Sequence, residues 1–244
     1  MIHLENVTDS PHLFGRHHEL LDGANLTLPK GRFALLSETP ELHTALIDII
    51  GGLRPPRYGV VHHDCLVSWP IGRMGFVRGK LTGIQMTNFI CNLYGLDRGI
   101  CLDFLNGILT SPEYLRNRIM DWPNYVRQEY IFSISLVPTF DLFIVDNMMP
   151  LPNSRFGRLW STLFEERVVG RSLILATSND RQIMDFCTKG LIYEHGTFRI
   201  DDDLESCLRR YPLKQFRSER PSDSDDAEDV QEFEESADGG DIFL

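Results

Sequence analysis

The sequence predicts an α/β fold in which buried parallel strands alternate with helices and a helical insert interrupts the series. Three observations carry that expectation. "TFDLFIVDN" (139–147) and "SLILATS" (172–178) are apolar runs of strand length, the pattern of strands covered on both faces of a sheet. "RLWSTLFEERVV" (158–169) between them is amphipathic with a helical period. From about 84 to 137 the apolar residues Met86, Phe89, Ile90, Leu93 and Tyr94 recur at helical spacing, which places a block of helices before the first of those strands.

Taken in order, "IHLENV" and "NLTL" read as strands, with "LDGAN" as the turn between them. "GRFALLS" is a strand entered through Gly31. "TALIDII" is a helix stopped by Gly51-Gly52 and barred from continuing by Pro55-Pro56. "YGVV" and "LVSWP" are further short strands, and "GLIYEHGTFRI" is a strand, a turn and a strand. No internal repeat is present.

A chain of 244 residues with 42% apolar content can bury one sizeable core. Its five cysteines, at 65, 91, 101, 187 and 207, form no C-x-x-C pair, which points to reduced thiols in a cytosolic protein and away from a disulfide framework. "MIHLENVTDS" lacks the basic and apolar regions of a signal peptide, and no apolar run approaches the ~20 residues of a membrane span. Any work at a membrane then needs a span supplied by another subunit.

The net charge of −11 is unevenly placed. Residues 218–244 hold eleven acidic residues and one arginine, leaving the rest of the chain near −1. Such a tail is too charged to fold alone and is expected to be disordered, with "DIFL" as a short apolar terminus. A nearly neutral body with an acidic tail argues against a nucleic-acid partner, which needs a basic face. The domain reading is therefore a folded body over 1–217, with its helical subdomain at about 84–137, and a disordered acidic tail over 218–244.

Between the strand "RFALL" and the helix "TALIDII" lies "SETPELHT", Ser37 to Thr44. That is the place of a phosphate-binding loop, which reads G-x-x-x-x-G-K-[ST]. Its slots here hold Ser37, Leu42, His43 and Thr44. Glycines allow such a loop to turn its N–H groups toward phosphate, and Ser37 and Leu42 add Cβ atoms there. Pro40 removes one donor outright. His43 is shorter than lysine and mostly uncharged at neutral pH. Glu38 and Glu41 put carboxylates beside a would-be polyanion, at a cost of about 4 kcal/mol each at ~4 Å and an effective dielectric near 20. Thr44 alone keeps its type, and threonine also serves near the start of any helix. "HHDC" (62–65) has ligand-type residues, but neighbours alternate across a strand, so the expectation is surface histidines and no metal. "GRHH" at 15–18 needs no ligand either.

The chain resembles the ATP-binding subunit of an ABC transporter, and in particular the kind that powers capsule-polysaccharide export. The likeness rests on "MIHLENVT", "LTLPKGRFALL", "IIGGLRPPRYGVV", "VSWPIG" ending at Gly72, "GKLTG" to Gly83, "NLYGLD" to Asp97 and "DLFIVD" to Asp146. These run in order over about residues 1–200. The resemblance implies a P-loop ABC-type nucleotide-binding domain: a RecA-like core, N-terminal antiparallel strands and a helical subdomain. It implies an ABC-2-type membrane permease and a second, catalytically competent ATP-binding subunit as partners, with a homodimer also open. It places the chain in the cytoplasm, held at the inner face of the plasma membrane through the permease.

The same resemblance assigns working positions, and nearly all have changed type. The permease- and magnesium-sensing glutamine aligns with Arg78. The signature segment aligns with Pro123, Asn124, Tyr125 and Val126, where Tyr125 replaces a glycine. Asp146 is kept at its strand end, where it also reads as an ordinary polar terminus. The catalytic glutamate aligns with Asn147, which cannot take a proton at neutral pH. The switch histidine aligns with Ser178. The stacking aromatic near "DSPHLF" is deleted, with His12 or Phe14 as substitutes. The groove around Phe76, Phe89 and Leu93 resembles the seat of a permease's cytoplasmic helix.

These substitutions predict a degenerate ATP-binding subunit that docks to its partners without hydrolysing ATP. No catalytic residue is expected, and no cofactor, with magnesium ATP present only if residual binding persists. Two alternatives stay open. One is an active ATPase using His43 and Asn147 in the missing roles. The other is an orphan regulator with a different ligand, for which Arg73 and Arg78 would supply a basic pocket.

Overall fold

The apolar runs "RFALLS", "SLILA" and "LFIVD" pair as neighbouring strands of one sheet. The computed structural model describes residues 1–73, 79–146, 149–211 and 213. Phe76, Arg78, Asn147 and the acidic segment 218–244 lie outside the described residues, as does the expected boundary at 217.

Strand β1 (Ile2–Asp9) lies between β4 (Leu21–Leu28) and β6 (Tyr58–His63) in an antiparallel three-stranded sheet. The residues between β1 and β4 carry a two-residue hairpin, β2 (His12–Leu13) and β3 (Arg16–His17). "LDGAN", expected as a turn, is strand. It pairs with β1 from Leu21↔Asp9 through Ala24↔Val7 across irregular registers. Asn6 at φ 49° and Gly23 at φ 58° absorb the irregularity, so the glycine read as a turn signal serves a bulge inside a strand.

Strands β5 (Arg32–Ser37), β7 (Val67–Ile71), β8 (Leu142–Asp146), β9 (Ser172–Ala176), β10 (Lys189–Glu194) and β11 (Thr197–Asp201) form a six-stranded sheet in the order β11-β10-β5-β9-β8-β7. All neighbours are parallel except the edge hairpin β10–β11. Alternate residues serve two cores. Phe33 and Leu35, with Leu142 and Ile144, face a cluster containing Leu46 and Ile47. Ala34 and Leu36, with Phe143 and Val145, face the other, which contains Trp160 and Phe164. A strand with both faces covered cannot show polar alternation, which is why these runs read as continuous apolar stretches.

Helix α1 (His43–Ile50) covers the first face, and α5 (Arg155–Val168) covers the second. The Trp160 indole of α5 stacks on Phe164 at 4.7 Å, and its Nε1 donates to the Phe132 carbonyl at 2.9 Å. That bond ties the sheet layer to the helical insert, which comprises α2 (Gly83–Tyr94), α3 (Arg98–Ile108) and α4 (Asn124–Ile134). "LTG…NLYGLD" is capping chemistry. Thr82 and Gln85 form a reciprocal capping box on α2, Gly95 ends it at φ 66°, and Asp97 caps α3 through the Ile100 N–H. Two short helices carry too few turns for a periodic signal in the sequence: α6 (Asp180–Phe186) and α7 (Leu204–Arg210), each capped by an Asn or Asp.

Candidate functional site

Ser37 and Asp146 end two strands of the parallel sheet at the same edge, the carboxyl edge where α/β sheets hold ligands. The loop from β5 to α1 crosses that edge. Pro40, Glu41 and Leu42 wind into a 3-10 turn that runs directly into α1. Inside it the Leu42 N–H donates to the Thr39 carbonyl at 3.0 Å, and the His43 N–H donates to the Pro40 carbonyl. Pro40 has no N–H. Two loop donors are thus engaged internally, and the turn is tight because proline at its first position presets φ.

The His43 side chain folds back over the loop, and its Nε2 shares a 2.9 Å hydrogen bond with Ser37 Oγ. Ser37 and Leu42 are buried, at 6% and 7% exposure. Burial lowers the His43 pKa to about 4, because a charged imidazole would lose its hydration there. The residue in the lysine slot is therefore a neutral ring bonded to the loop's own serine.

Thr44 and Asp146 touch. Thr44 Oγ1 donates to Asp146 Oδ2 at 3.3 Å. The two residues of unchanged type therefore meet across the loop, and Asp146 is more than a polar strand end. A third partner joins them. Arg73, two residues past β7, sends Nε to Asp146 Oδ2, Nη1 to Asp48 Oδ1 and Nη2 to the Thr44 carbonyl, the last at 2.9 Å. The guanidinium is 24% exposed, Asp146 10% and Asp48 27%. Thr44 and Asp48 stand one helical turn apart on α1, so one fork spans both. Arg73, a candidate for a basic ligand pocket under one of the alternatives, has its fork occupied by the chain's own carboxylates and the Thr44 carbonyl. Asp48 was missed, although a lone acid in "ALIDII" marks a position with a fixed partner.

A cavity of ≈ 550 Å³ opens beside the loop, walled by Glu38, Thr39 and Leu42 and by Glu19, Asp22 and Glu194. Arg210, on the same wall, is paired with Glu194 at 3.1 Å. The cavity thus carries four carboxylates against one already engaged cation.

The remaining candidates lie on other elements. Pro123 caps α4 without a side-chain bond, Asn124 and Tyr125 are exposed in its first turn, and Val126 is buried. The Tyr125 hydroxyl reaches Ser111 Oγ at 3.4 Å, which directs the ring along the insert. Ser178 is exposed in the loop after β9. Near it the buried Gln182, which no sequence pattern marked, clamps the chain beyond β8. It accepts from the Met149 N–H at 3.0 Å and donates to the Met149 carbonyl at 2.8 Å. Phe89 and Leu93 sit one turn apart on α2 and stay 57% and 63% exposed. Phe14, at φ 51°, is exposed at the tip of the small hairpin, packed on His18. His63 Nε2 bonds the Ile50 carbonyl and His62 faces Glu5, while no group of three or more His, Cys, Asp or Glu placed to hold a metal ion occurs among the described residues. No helix among them is long and apolar enough to cross a membrane.

No family model matches the chain. It is 26% identical over 213 residues to the ATP-binding protein BexA of Haemophilus influenzae, covering 86% of this chain and 98% of that protein. It is 25% identical over 194 residues to the capsule polysaccharide export ATP-binding protein CtrD of Neisseria meningitidis, covering 79% and 89%. To the polysialic acid transport ATP-binding protein KpsT of Escherichia coli it is 26% identical over 220 residues, covering 88% and 98%. Among solved structures, the dimeric ATP-binding cassette MJ0796 bound to ADP and Pi superposes with a TM-score of 0.63 at 15% identity, over 83% of this chain and 98% of that one. An ATP-binding subunit of an ABC transporter superposes at 0.60 and 13% identity, over 88% and 95%.

Proposed function

For a chain with the fold of an ABC ATP-binding cassette and sequence kinship to capsule-polysaccharide export ATP-binding proteins, we propose the role of a non-hydrolysing subunit in polysaccharide export. It keeps the cassette architecture as a docking body for a membrane permease, for a competent ATP-binding subunit, or for both.

The observation that carries this reading is the neutral, inward-bonded His43. In P-loop NTPases the loop backbone and its lysine cradle the β- and γ-phosphates. Here the ring in that slot is held by Ser37 with its pKa lowered to about 4, so it offers no charge at neutral pH. Two of the loop's N–H groups, those of Leu42 and His43, close on its own carbonyls, and carboxylates wall the neighbouring cavity. Each change disfavours a polyphosphate, and losing one preorganised donor commonly costs about 10²–10³ in rate.

Docking is supported by α2. Phe89 and Leu93 expose two large apolar side chains one turn apart on one face of this insert helix. With no membrane-crossing helix among the described residues, attachment to a membrane falls to a partner.

Titration with magnesium ATP by calorimetry tests the first half. The expected result is no saturable heat at micromolar nucleotide, and micromolar binding followed by phosphate release would refute the reading. Co-purification with the permease tests the second half. Phe89→Ser and Leu93→Ser should each weaken capture without lowering the melting temperature, and undiminished capture by both variants would exclude that face.

A further inference from the structure

We propose that Arg73 is a resident cation, a guanidinium standing in the place where P-loop NTPases hold a divalent metal. This deepens the non-hydrolysing reading and rests on it. In P-loop NTPases the metal sits between the loop's Ser/Thr hydroxyl and the acidic residue ending a neighbouring strand. Thr44 and Asp146 hold those two places here, and their oxygens are already in contact at 3.3 Å. The positive charge beside them comes from the protein. Arg73 Nε meets Asp146, Nη1 meets Asp48 and Nη2 meets the Thr44 carbonyl.

The two carboxylates account for the fit. A planar fork with fixed donors can satisfy acceptors on three sides at once, which a lysine ammonium cannot do with the same geometry. Magnesium needs near-octahedral oxygens at about 2.0–2.1 Å and keeps several waters. A guanidinium bonded to both carboxylates occupies that space and neutralises the ligands. The residues present do not fit the metal while Arg73 is there.

Placement makes the arginine a clasp as well as a counter-ion. Arg73 follows Gly72, whose φ of 95° turns the chain off the end of β7 toward α1. One side chain therefore joins the β7 exit, helix α1 and the end of β8; in P-loop NTPases a bound metal links the last two. These contacts tie α1 to the sheet without nucleotide, as suits a subunit that serves as a static body.

The test is Mn²⁺ titration of the full chain without nucleotide, read by the electron paramagnetic resonance of free Mn²⁺ and by melting temperature. The wild type should bind no Mn²⁺ at this site and melt at the same temperature with Mn²⁺ or chelator. Arg73→Met leaves Asp48 and Asp146 uncompensated. It should melt lower than the wild type, bind Mn²⁺ at least about tenfold more tightly, and regain stability as Mn²⁺ is added. Adding Asp48→Asn to that variant should abolish the gain. An Arg73→Met chain as stable as wild type and indifferent to Mn²⁺ would overturn the proposal while leaving the non-hydrolysing reading intact.

Should Arg73→Met not fold, the Arg Nε–H resonances of the wild type decide. The peak lost in Arg73→Lys should stay sharp under Mn²⁺, and its selective broadening would show a metal at the site and overturn the assignment. Micromolar binding of magnesium ATP by the wild type, followed by phosphate release, would instead defeat the functional reading itself.

Discussion

His43 should make folding stability depend on pH between about 4 and 6.5. Its pKa is about 4 in the folded chain, against 6.5 for an exposed imidazole. Between these values the unfolded chain binds a proton that the folded chain refuses. The contribution is complete above pH 6.5, falls as pH drops toward 4, and is constant below. Linkage puts the loss at about 2 kcal/mol between pH 7.5 and pH 5. His43→Gln retains a polar nitrogen within reach of Ser37 Oγ but cannot titrate, so its stability curve should be flatter by that amount. Urea unfolding of both proteins at half-unit pH steps measures the difference. Glu194 and Asp201, whose pKa values are lowered by the Tyr211 hydroxyl and by Arg199 respectively, act at lower pH and cancel between the two proteins. Parallel curves from pH 4.5 to 6.5 would refute the reasoning, as would an imidazole titration near 6.5 by NMR. The first result would mean that the ring is hydrated, and the case for a closed loop would fall with it.

Two further predictions concern the frame around the site. Asp9 is 3% exposed and accepts from Arg54 Nη1 at 3.0 Å and Nη2 at 2.7 Å, so Arg54→Ala strands a buried carboxylate. Discounted for an arginine that is one-third exposed, the loss should be about 2–3 kcal/mol in urea unfolding, and a change below about 0.5 kcal/mol would contradict it. In α5, a Cβ on Gly157 would lie 1.8 Å from the Leu151 carbonyl oxygen, whereas one on Gly107 in α3 meets nothing within 4 Å. Gly157→Ala should therefore lower the melting temperature and Gly107→Ala should raise it, by up to about 1 kcal/mol of helix propensity. Equal effects would show that Gly157 is not held against that carbonyl.

Much of the fold was legible because it depends on local pattern. "LFIVD" and "SLILA" read as strands buried on both faces because each of their apolar side chains meets a core. "LDGAN" misled because glycine marks both turns and bulges, and only the β1–β4 register tells them apart. The helices at 180–186 and 204–210 are too short for a periodic signal, and their caps alone announced them. At the site, the replaced glycines and lysine were visible as residue types. Their consequence was not, since the internal bonding of the loop and the lowered pKa of His43 follow from burial.

By its own pattern the sequence determined the sheet strands, the helical block and the exchange of phosphate-binding residue types at 37–44, because strand and helix periods and residue chemistry are local properties. The pairing of Arg73 with Asp48, Asp146 and Thr44 was decided only in three dimensions. These partners lie 25, 73 and 29 positions from Arg73 along the chain, and nothing in a linear pattern says which groups a given arginine will reach. Folding places the end of β7, the second turn of α1 and the end of β8 within the span of one guanidinium, and a charge that reads as free for a ligand becomes part of the frame.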